Sequence, residues 1–560
     1  MLMPMPAHDS LHVAPLGDTA VVLRPAHSQP ASELLNRIRS LADSIAGAGI
    51  SAVLDVVPSP DRVTVIYDPL QITDINELLA TLSQVADESV TTPLAPRCHE
   101  VPVCYGGDEG PDLEAVCRQH AIDRKQLIEA HTGPEYLITA IGFVPGFPYL
   151  TGLPEWLATP RLATPRTVVP AGSVGIGGGQ TGIYPFATPG GWHLLGRTSL
   201  TLFDPTAAQP NRFAVGDRVR FCSSNEPFVE PAARGASAPP SRPTFTILEP
   251  GLMTSVQDLG RPGQRAAGVP SGGAADSFSA RLANLLVGNP AGAALLEFSL
   301  VGPTLRFETD SVVALTGGTV PGLPALRPFC IQAGETLSIG HLTAGCRGYL
   351  AIAGGIDLPP VLKSRATYIP ATLGGLDGRL LSPGDALATG RPLVTTVKGN
   401  WQLDPQLTAL PASDTACTLR YIPAVEPDIP HGLHLQLEQT PFGVTSRSDR
   451  MGLRLSGRLS PPASSGVSLA VLPGTIQLPP DGHPILLLTD AQTIGGYPVL
   501  GQVIAADLPL TGQLRSGHTI RFEPTTLETA HQLLQKQHDT LVTVQRGLAS
   551  CLETQQHHNP

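Results

Sequence analysis

The stretch VPAGSVGIGGGQTGIYPFATPGGWH sets Gln180, Tyr184, Trp192 and His193 among glycines, with Arg197 close behind. Aromatic walls, an imidazole and a guanidinium at that density can line a small-ligand site. Glycines can also bring backbone N–H groups onto an anion without any helix. Three sharper readings fail on residue type. A Walker loop needs GxxxxGK[ST], and no lysine occurs here. Gly177, Gly179 and Gly182 match GxGxxG, but Ile183-Tyr184-Pro185 follows where a dinucleotide fingerprint must open a helix. AGSVG carries Ala171 at the first glycine of a nucleophile elbow, and no helix follows Ser173. Two readings stay open: a ligand-lined barrel mouth, and plain turns at barrel corners.

The elements that position these residues are mostly short strands. Glycine (58) and proline (57) are spread without a collagen period, which predicts many tight turns and a mainly β chain. A length of 560 residues exceeds what one core organises and predicts several domains. Residues 1–97 read as an α+β domain: LHVAPLGDTAVVLRP as a strand, ASELLNRIRSLADSIAGA as a helix, then two strands and a second helix. That β-α-β-β-α order is ferredoxin-like. Residues 98–222 read as a β-barrel domain, preceded within it by the helical stretch DLEAVCRQHAIDRKQLIEAHTG. A Ser/Pro/Ala-rich linker is expected at 223–243, a β-rich domain at 244–400, a second barrel-like domain at 401–525, and a helix with a disordered tail at 526–560. An internal echo links AGSVGI and GQTGIYP to PGTIQLP and AQTIGGYP, and VGDRVRF to SGHTIRF, as two related barrels would.

A formal charge of −11 supplies no basic excess for nucleic acid or anionic membranes, so neither is expected as a partner. The start MLMPMPAHDS lacks the features of a secretory signal, and no apolar run reaches membrane-spanning length. The eight cysteines are scattered without a CxxC pair, which suits a reducing cytoplasm.

The run from GFVPGFPYLTGLPEWL through VPAGSVGIGGGQTGIYPFATPGGWHLLGRT strongly resembles the B subunit of prokaryotic ATP-dependent 5-oxoprolinase, a family also labelled allophanate hydrolase subunit 1. After the linker, ILEPGLMTSVQDLGRPGQRAAGVPSGGAADSFSARLANLLVGNPAGAALLEFSLVGPTLRF resembles the C subunit, as do YLAIAGGIDLP, SDRMGLRLSG and DAQTIGGYP. The resemblance covers about residues 10 to 525 and implies a B–C fusion with cyclophilin-like β-barrels. It implies a separate A subunit as partner, a homo-oligomer being left open, and a small-molecule substrate, 5-oxo-L-proline. ATP with Mg2+ would be consumed in opening that lactam to L-glutamate. Two departures stand out. SGGAAD replaces the C family's usual SGAMD, and LKSRAT places Lys363 where LGSRST has glycine.

Phosphoryl transfer needs cations and donors around the moving oxygens, with carboxylates for a metal. In the B-like half the candidates are Arg166, Gln180, Tyr184, Trp192, His193 and Arg197, with His193 as base or hydrogen-bond donor and either Arg166 or Arg197 on phosphate or the substrate carboxylate. In the C-like half they are Gln257, Asp258, Arg261, Asp276, Arg281, Asn284, Asp449, Arg450, Asp490 and Gln492. Asp258 and Asp449 join His193 and Arg197 as catalytic candidates, and Glu297 reads as a buried acid with a partner. No metal ligand set is legible. Two rival readings follow from the same resemblance: a urea carboxylase-type carboxyltransfer module, and a regulatory protein that inhibits a histidine kinase. Neither a biotin-accepting MKM nor an ATP-grasp region is present, so no biotin is expected.

Overall fold

The computed structural model describes residues 11–25, 31–89, 97–226, 228–230, 237–397, 401–408, 410–411, 416–424, 429–462 and 468–556. Part of the expected linker, and the tail beyond 556, lie outside these residues. The chain starts with an antiparallel sheet in the order Leu11–Leu16, Ala20–Pro25, Arg62–Tyr67, Val53–Ser59. The expected first strand is in fact a hairpin, because Gly17 at φ +67° turns the chain between Leu16 and Ala20. Helix Ala31–Gly47 then leads to Val53–Ser59, and Arg62–Tyr67 inserts between that strand and Ala20–Pro25. This is a split βαβ unit. A ferredoxin-like fold would take its remaining edge strand after the second helix. Here that edge comes from the N-terminal side, and the strand following helix Ile75–Glu88 leaves for the next domain.

Every residue of Arg62–Tyr67 is buried, which a one-sided sheet cannot achieve. Val63, Val65 and Tyr67 pack on the helices, whereas Ile66 joins Leu16, Ala20 and Val57 against Ala140, Ala470, Leu472 and Ile494. The second face is therefore covered by both later barrels.

Those barrels are duplicates. The first closes with Cys98–Tyr105, Tyr136–Ile141, Pro148–Thr151, Ser173–Gly177, Gln180–Ile183, His193–Arg197 and Arg218–Ser223. The second uses Cys417–Pro423, Phe442–Val444, Gly452–Ser456, Thr475–Gln477, Ile485–Leu487, Val499–Val503 and Thr519–Pro524. Numbered by position within each barrel, both circuits run 5-3-2-7-1-6-4, with the first and last strands parallel. Even the register repeats. Ser173 faces Arg197 and Val174 faces Gly196, just as Thr475 faces Gln502 and Ile476 faces Gly501. TPGGWHLLGR is thus the counterpart of TIGGYPVLGQ, which corrects the alignment of GQTGIYP with AQTIGGYP expected from sequence. Arg197 and Gln502 even donate to equivalent carbonyls, those of Ala171 and Pro473.

The helical stretch inside the first barrel domain is two helices, Leu113–His120 and Arg124–Thr132. Ala121 at φ +53° ends the first, and a reciprocal Asp123–Gln126 capping box starts the second. Between the barrels lie two sheets sharing one core that includes Phe245, Leu305, Phe307, Leu296, Phe298 and Leu350. Helix Ser277–Leu286 covers the outer face of the larger sheet. The final helix, Leu527–Gln556, packs Leu541, Val544 and Leu548 beside it. Near its start, His531 Nε2 lies 3.1 Å from the Asp18 carbonyl, so the end of the chain meets its beginning.

Candidate functional site

The glycine-rich segment Asp258 to Asp276 is threaded between the barrels. It doubles back so tightly that a Cβ on Gly273 would lie 2.6 Å from the Gly260 nitrogen. Only glycine at φ +86° fits there, and the SGGAAD departure keeps it. On one side, Gly146 N–H donates to the Ala267 carbonyl (3.3 Å), seating the first barrel's Gly142–Phe147 loop on the segment. Phe143 in that loop holds φ +67°, an uncommon conformation for a large side chain. On the other side, Arg450 from the equivalent loop of the second barrel donates to the Gly273 carbonyl at 2.7 Å.

Two polar groups meet in this junction, and their hydrogen-bond accounts differ. Arg450 binds both oxygens of Asp490 (2.7 and 3.0 Å) and also pairs with Glu297. Glu297 in turn accepts from Tyr349 and from the Ala275 N–H, each at 2.9 Å, with Arg347 at 3.6 Å. Burial favours the neutral acid, but Arg450 and Arg347 outweigh it and hold Glu297 below the usual carboxylate range. Burial likewise opposes the charge of Arg450, yet Asp490 and Glu297 raise it above the ordinary arginine value. Arg450 and both acids are fully engaged here, only Arg347 Nε lacking a hydrogen bond, and the network joins the second barrel to the central sheets.

The other group is not satisfied. Arg261 is 1% exposed and Arg265 2%, while Tyr368 is fully buried. Arg261 Nη2 donates to the Ala366 carbonyl, but its Nε and Nη1 have no partner. Arg265 Nη2 donates to the Val471 carbonyl, and its Nη1 has no partner. The Tyr368 hydroxyl, Gln257 Oε1 and Thr493 Oγ1 are also without one. Tyr368 lies within the electrostatic reach of both arginines and of Asp490. Burial lowers the Arg265 pKa to about 10 and pulls Arg261 down as well, although Asp258 and Asp490 oppose the latter shift. Buried donors are nearly always paired, and charged ones left unpaired cost several kcal/mol. Such a cluster has the chemistry of a site for an oxyanion.

The other sequence candidates sit elsewhere. Arg197 is engaged by the Ala171 carbonyl and Glu109 (3.1 Å), and its guanidinium lies 3.7 Å from the centre of the Phe228 ring. Arg166 pairs with Asp112 at 2.6 Å. His193 Nε2 is 3.0 Å from the Pro160 carbonyl while its buried Nδ1 has no partner. Trp192 and Tyr184 are buried with Phe143 and Phe147 in an aromatic cluster, and Gln180 is half-buried in its strand. Burial, partly offset by Arg161, raises the Tyr184 pKa to about 12.

In the central domain, Asp258 accepts from Gly260 N–H, Ser364 Oγ and Arg365 N–H, so it staples two loops. Asp276 caps helix Ser277–Leu286 through Ser279 and also accepts from Gln513. Burial raises its pKa. Arg281 is half-buried on that helix, and Asn284 closes the loop beyond it through Ala291, Ala293 and Asn289. Asp449 is exposed and accepts from Met451 and Gly452 N–H. Gln492 contributes its carbonyl toward Arg265 at 3.5 Å. Arg261, Arg450, Asp490, Gln257 and Gln492 are therefore the candidates that the junction gathers. Sequence reasoning missed Arg265 and Tyr368. The signal for Arg265 was its place four residues after Arg261 on a segment with few other charges; Tyr368 carried none. Among the described residues no cluster of three or more His, Cys, Asp or Glu could hold a metal.

Residues 11–213 match the family described as carboxyltransferase domain, subdomain C and D, and residues 267–524 match carboxyltransferase domain, subdomain A and B. The B subunit of 5-oxoprolinase from Escherichia coli O157:H7 is 44% identical over 38% of this chain and 95% of its own length. The C subunit of the Escherichia coli K12 enzyme is 36% identical over 52% of this chain and 94% of its own length. Urea amidolyase of Lachancea kluyveri is 32% identical over 54% of this chain but only 18% of its own length. Among solved structures, TTHA0988 is 34% identical with a TM-score of 0.77, covering 90% of this chain and 99% of that one.

Proposed function

Because the chain belongs to the family of the B and C subunits of 5-oxoprolinase, with both joined in one polypeptide, we propose that it activates 5-oxo-L-proline for ring opening to L-glutamate. The observation that carries this reading is where the two matches meet. The halves that are separate proteins in Escherichia coli close here on one junction holding unspent buried cations.

A lactam resists water because nitrogen donates into its carbonyl. In the proposed route the amide oxygen takes the γ-phosphoryl group of ATP, which leaves ADP and an O-phosphorylated ring. One water adds at that carbon and the C–N bond breaks, giving γ-glutamyl phosphate and a free amine. A second water releases phosphate. ATP supplies the driving force as a co-substrate, and the ring opening is completed with a separate A subunit. The chain's own part is to bind and orient the lactam and to hold water away from the activated ring. The aromatic cluster at Phe143, Phe147, Tyr184 and Trp192, beside that junction, suits the second task. His193, with one ring nitrogen free, is the proposed proton-handling residue of the first barrel.

The carboxyltransferase description and the urea amidolyase relatives support a second reading, carboxyl transfer to or from a carried carboxyl group. One assay separates the two. The purified chain with an active A subunit should release glutamate from 5-oxoproline only when ATP and magnesium are present. Turnover of a carboxylated carrier, with no glutamate formed, would replace the first reading by the second.

A further inference from the structure

We propose that Arg261, Arg265 and Tyr368 form a binding site for the carboxylate of a small substrate, buried at the junction of the two barrels. Arg261 and Arg265 come from a single glycine-rich turn, and Tyr368 from the segment following the Val361–Ser364 turn. Each presents a polar atom without a partner in a region closed to solvent. Elsewhere in the junction Arg450 is paired with Asp490 and Glu297, and Arg347, though its Nε makes no hydrogen bond, sits 3.6 Å from Glu297. Asp258 and Asp490 lie within electrostatic reach of Arg261 and Asp55 within reach of Arg265, but none of them takes the unpartnered guanidinium donors, which call for an acceptor that arrives with the ligand.

Charge selects the kind of oxyanion. Asp490 and Asp258 lie within electrostatic reach of Arg261, and Asp490 within reach of Tyr368. A phosphate dianion would meet repulsion from both acids. A carboxylate has one charge and two acceptor oxygens, and needs fewer donors than the site offers. Gly272, at φ +60°, brings its backbone so near that a Cβ there would lie 3.3 Å from Arg261 Nη1 and 3.8 Å from Asp490 Oδ1, so the turn itself walls this side of the cluster.

With 5-oxo-L-proline as ligand the proposal rests on the function argued above, and the test separates the two. Binding to the full chain is measured by calorimetry for 5-oxo-L-proline, for 2-pyrrolidone (the same lactam without a carboxylate) and for inorganic phosphate. Thermal midpoints are followed with acetate in chloride buffer. The acid should bind at least tenfold tighter than 2-pyrrolidone, and phosphate should not compete. Tyr368→Phe removes only an unpartnered hydroxyl, so its unliganded midpoint should stay level or rise while the carboxylate preference shrinks. Arg261→Gln should erase that preference. If 5-oxoproline binds with an unchanged preference in Tyr368→Phe and Arg261→Gln, the carboxylate lies elsewhere and the proposal falls while the function stands. Should acetate raise the midpoint of the parent chain but not of Tyr368→Phe while 5-oxoproline fails to bind, the site stands and the oxoproline reading falls. Phosphate binding that depends on Tyr368, or no response to any of these ligands, overturns the carboxylate site.

Discussion

At the scale of single residues, partner satisfaction separates structural polar groups from candidate ligand groups. Arg450 is engaged by Asp490, Glu297, the Gly273 carbonyl and Thr489, so Arg450→Ala would leave Asp490 buried without its cation and Glu297 with Arg347 alone. A loss of roughly 3–5 kcal/mol is expected in urea unfolding. Because Glu297 is held below its ordinary range, the network stabilises the fold above the unfolded pKa and fades as pH falls through the depressed value. Asp18 behaves oppositely. Burial, opposed by the Ala505 N–H, raises its pKa from 3.8 to about 6. The folded state then binds the extra proton between those values, so Asp18 costs stability as pH rises through them. Asp18→Asn keeps the shape and should add on the order of 2 kcal/mol at pH 7. Thermal melts of both proteins at pH 5 and 7 check this: the gain should shrink at the lower pH, and an equal gain at both would disprove the assignment.

Turns decide the matter at the scale of elements. The Lys363 departure falls in a two-residue turn closed by reciprocal Val361–Ser364 backbone hydrogen bonds, in which Leu362 and Lys363 hold φ +52° and +66°. That turn geometry favours Asn-Gly, and L-residues with Cβ pay strain in it. Replacing Leu362-Lys363 by Asn-Gly should stabilise the protein by about 1 kcal/mol, read as a shift in urea midpoint with unchanged slope. Gly273→Ala should do the reverse. Its Cβ would strike the Gly260 backbone, displace Arg261 and Arg265, and weaken 5-oxoproline binding beyond the loss of stability.

At the scale of the whole molecule, duplication makes the site. Neither barrel alone covers the Asp258–Asp276 segment, and the N-terminal sheet buries its second face only where Ala140 meets Ala470, Leu472 and Ile494. Produced as two chains, residues 1–230 and 237–560 should co-purify. Ile494→Asp should separate them, because a carboxylate there would be buried in an apolar contact. Gel filtration of the mixed halves checks both outcomes, and association that survives Ile494→Asp would mean that the two halves are held by other contacts.

Much of this was legible in the chain. The glycine and proline content and the short strands pointed to the β-rich architecture, since turn residues and alternation act locally. The family resemblance rested on long uninterrupted motifs, and Glu297 read correctly as a buried acid with a partner. The N-terminal hairpin was missed because strand propensity runs through the Gly-Asp-Thr turn without a break. The register of the repeat was misread because TxGG recurs beside similar glycine motifs, and only strand pairing tells them apart. Which polar residues converge depends on contacts between segments hundreds of positions apart, such as Arg265 with Val471. Local sequence carries residue type and backbone preference. Only tertiary packing decided that Arg197 would be engaged within its own barrel domain by a carbonyl and a glutamate, while the junction between the barrels left Arg261 and Arg265 with donors to share.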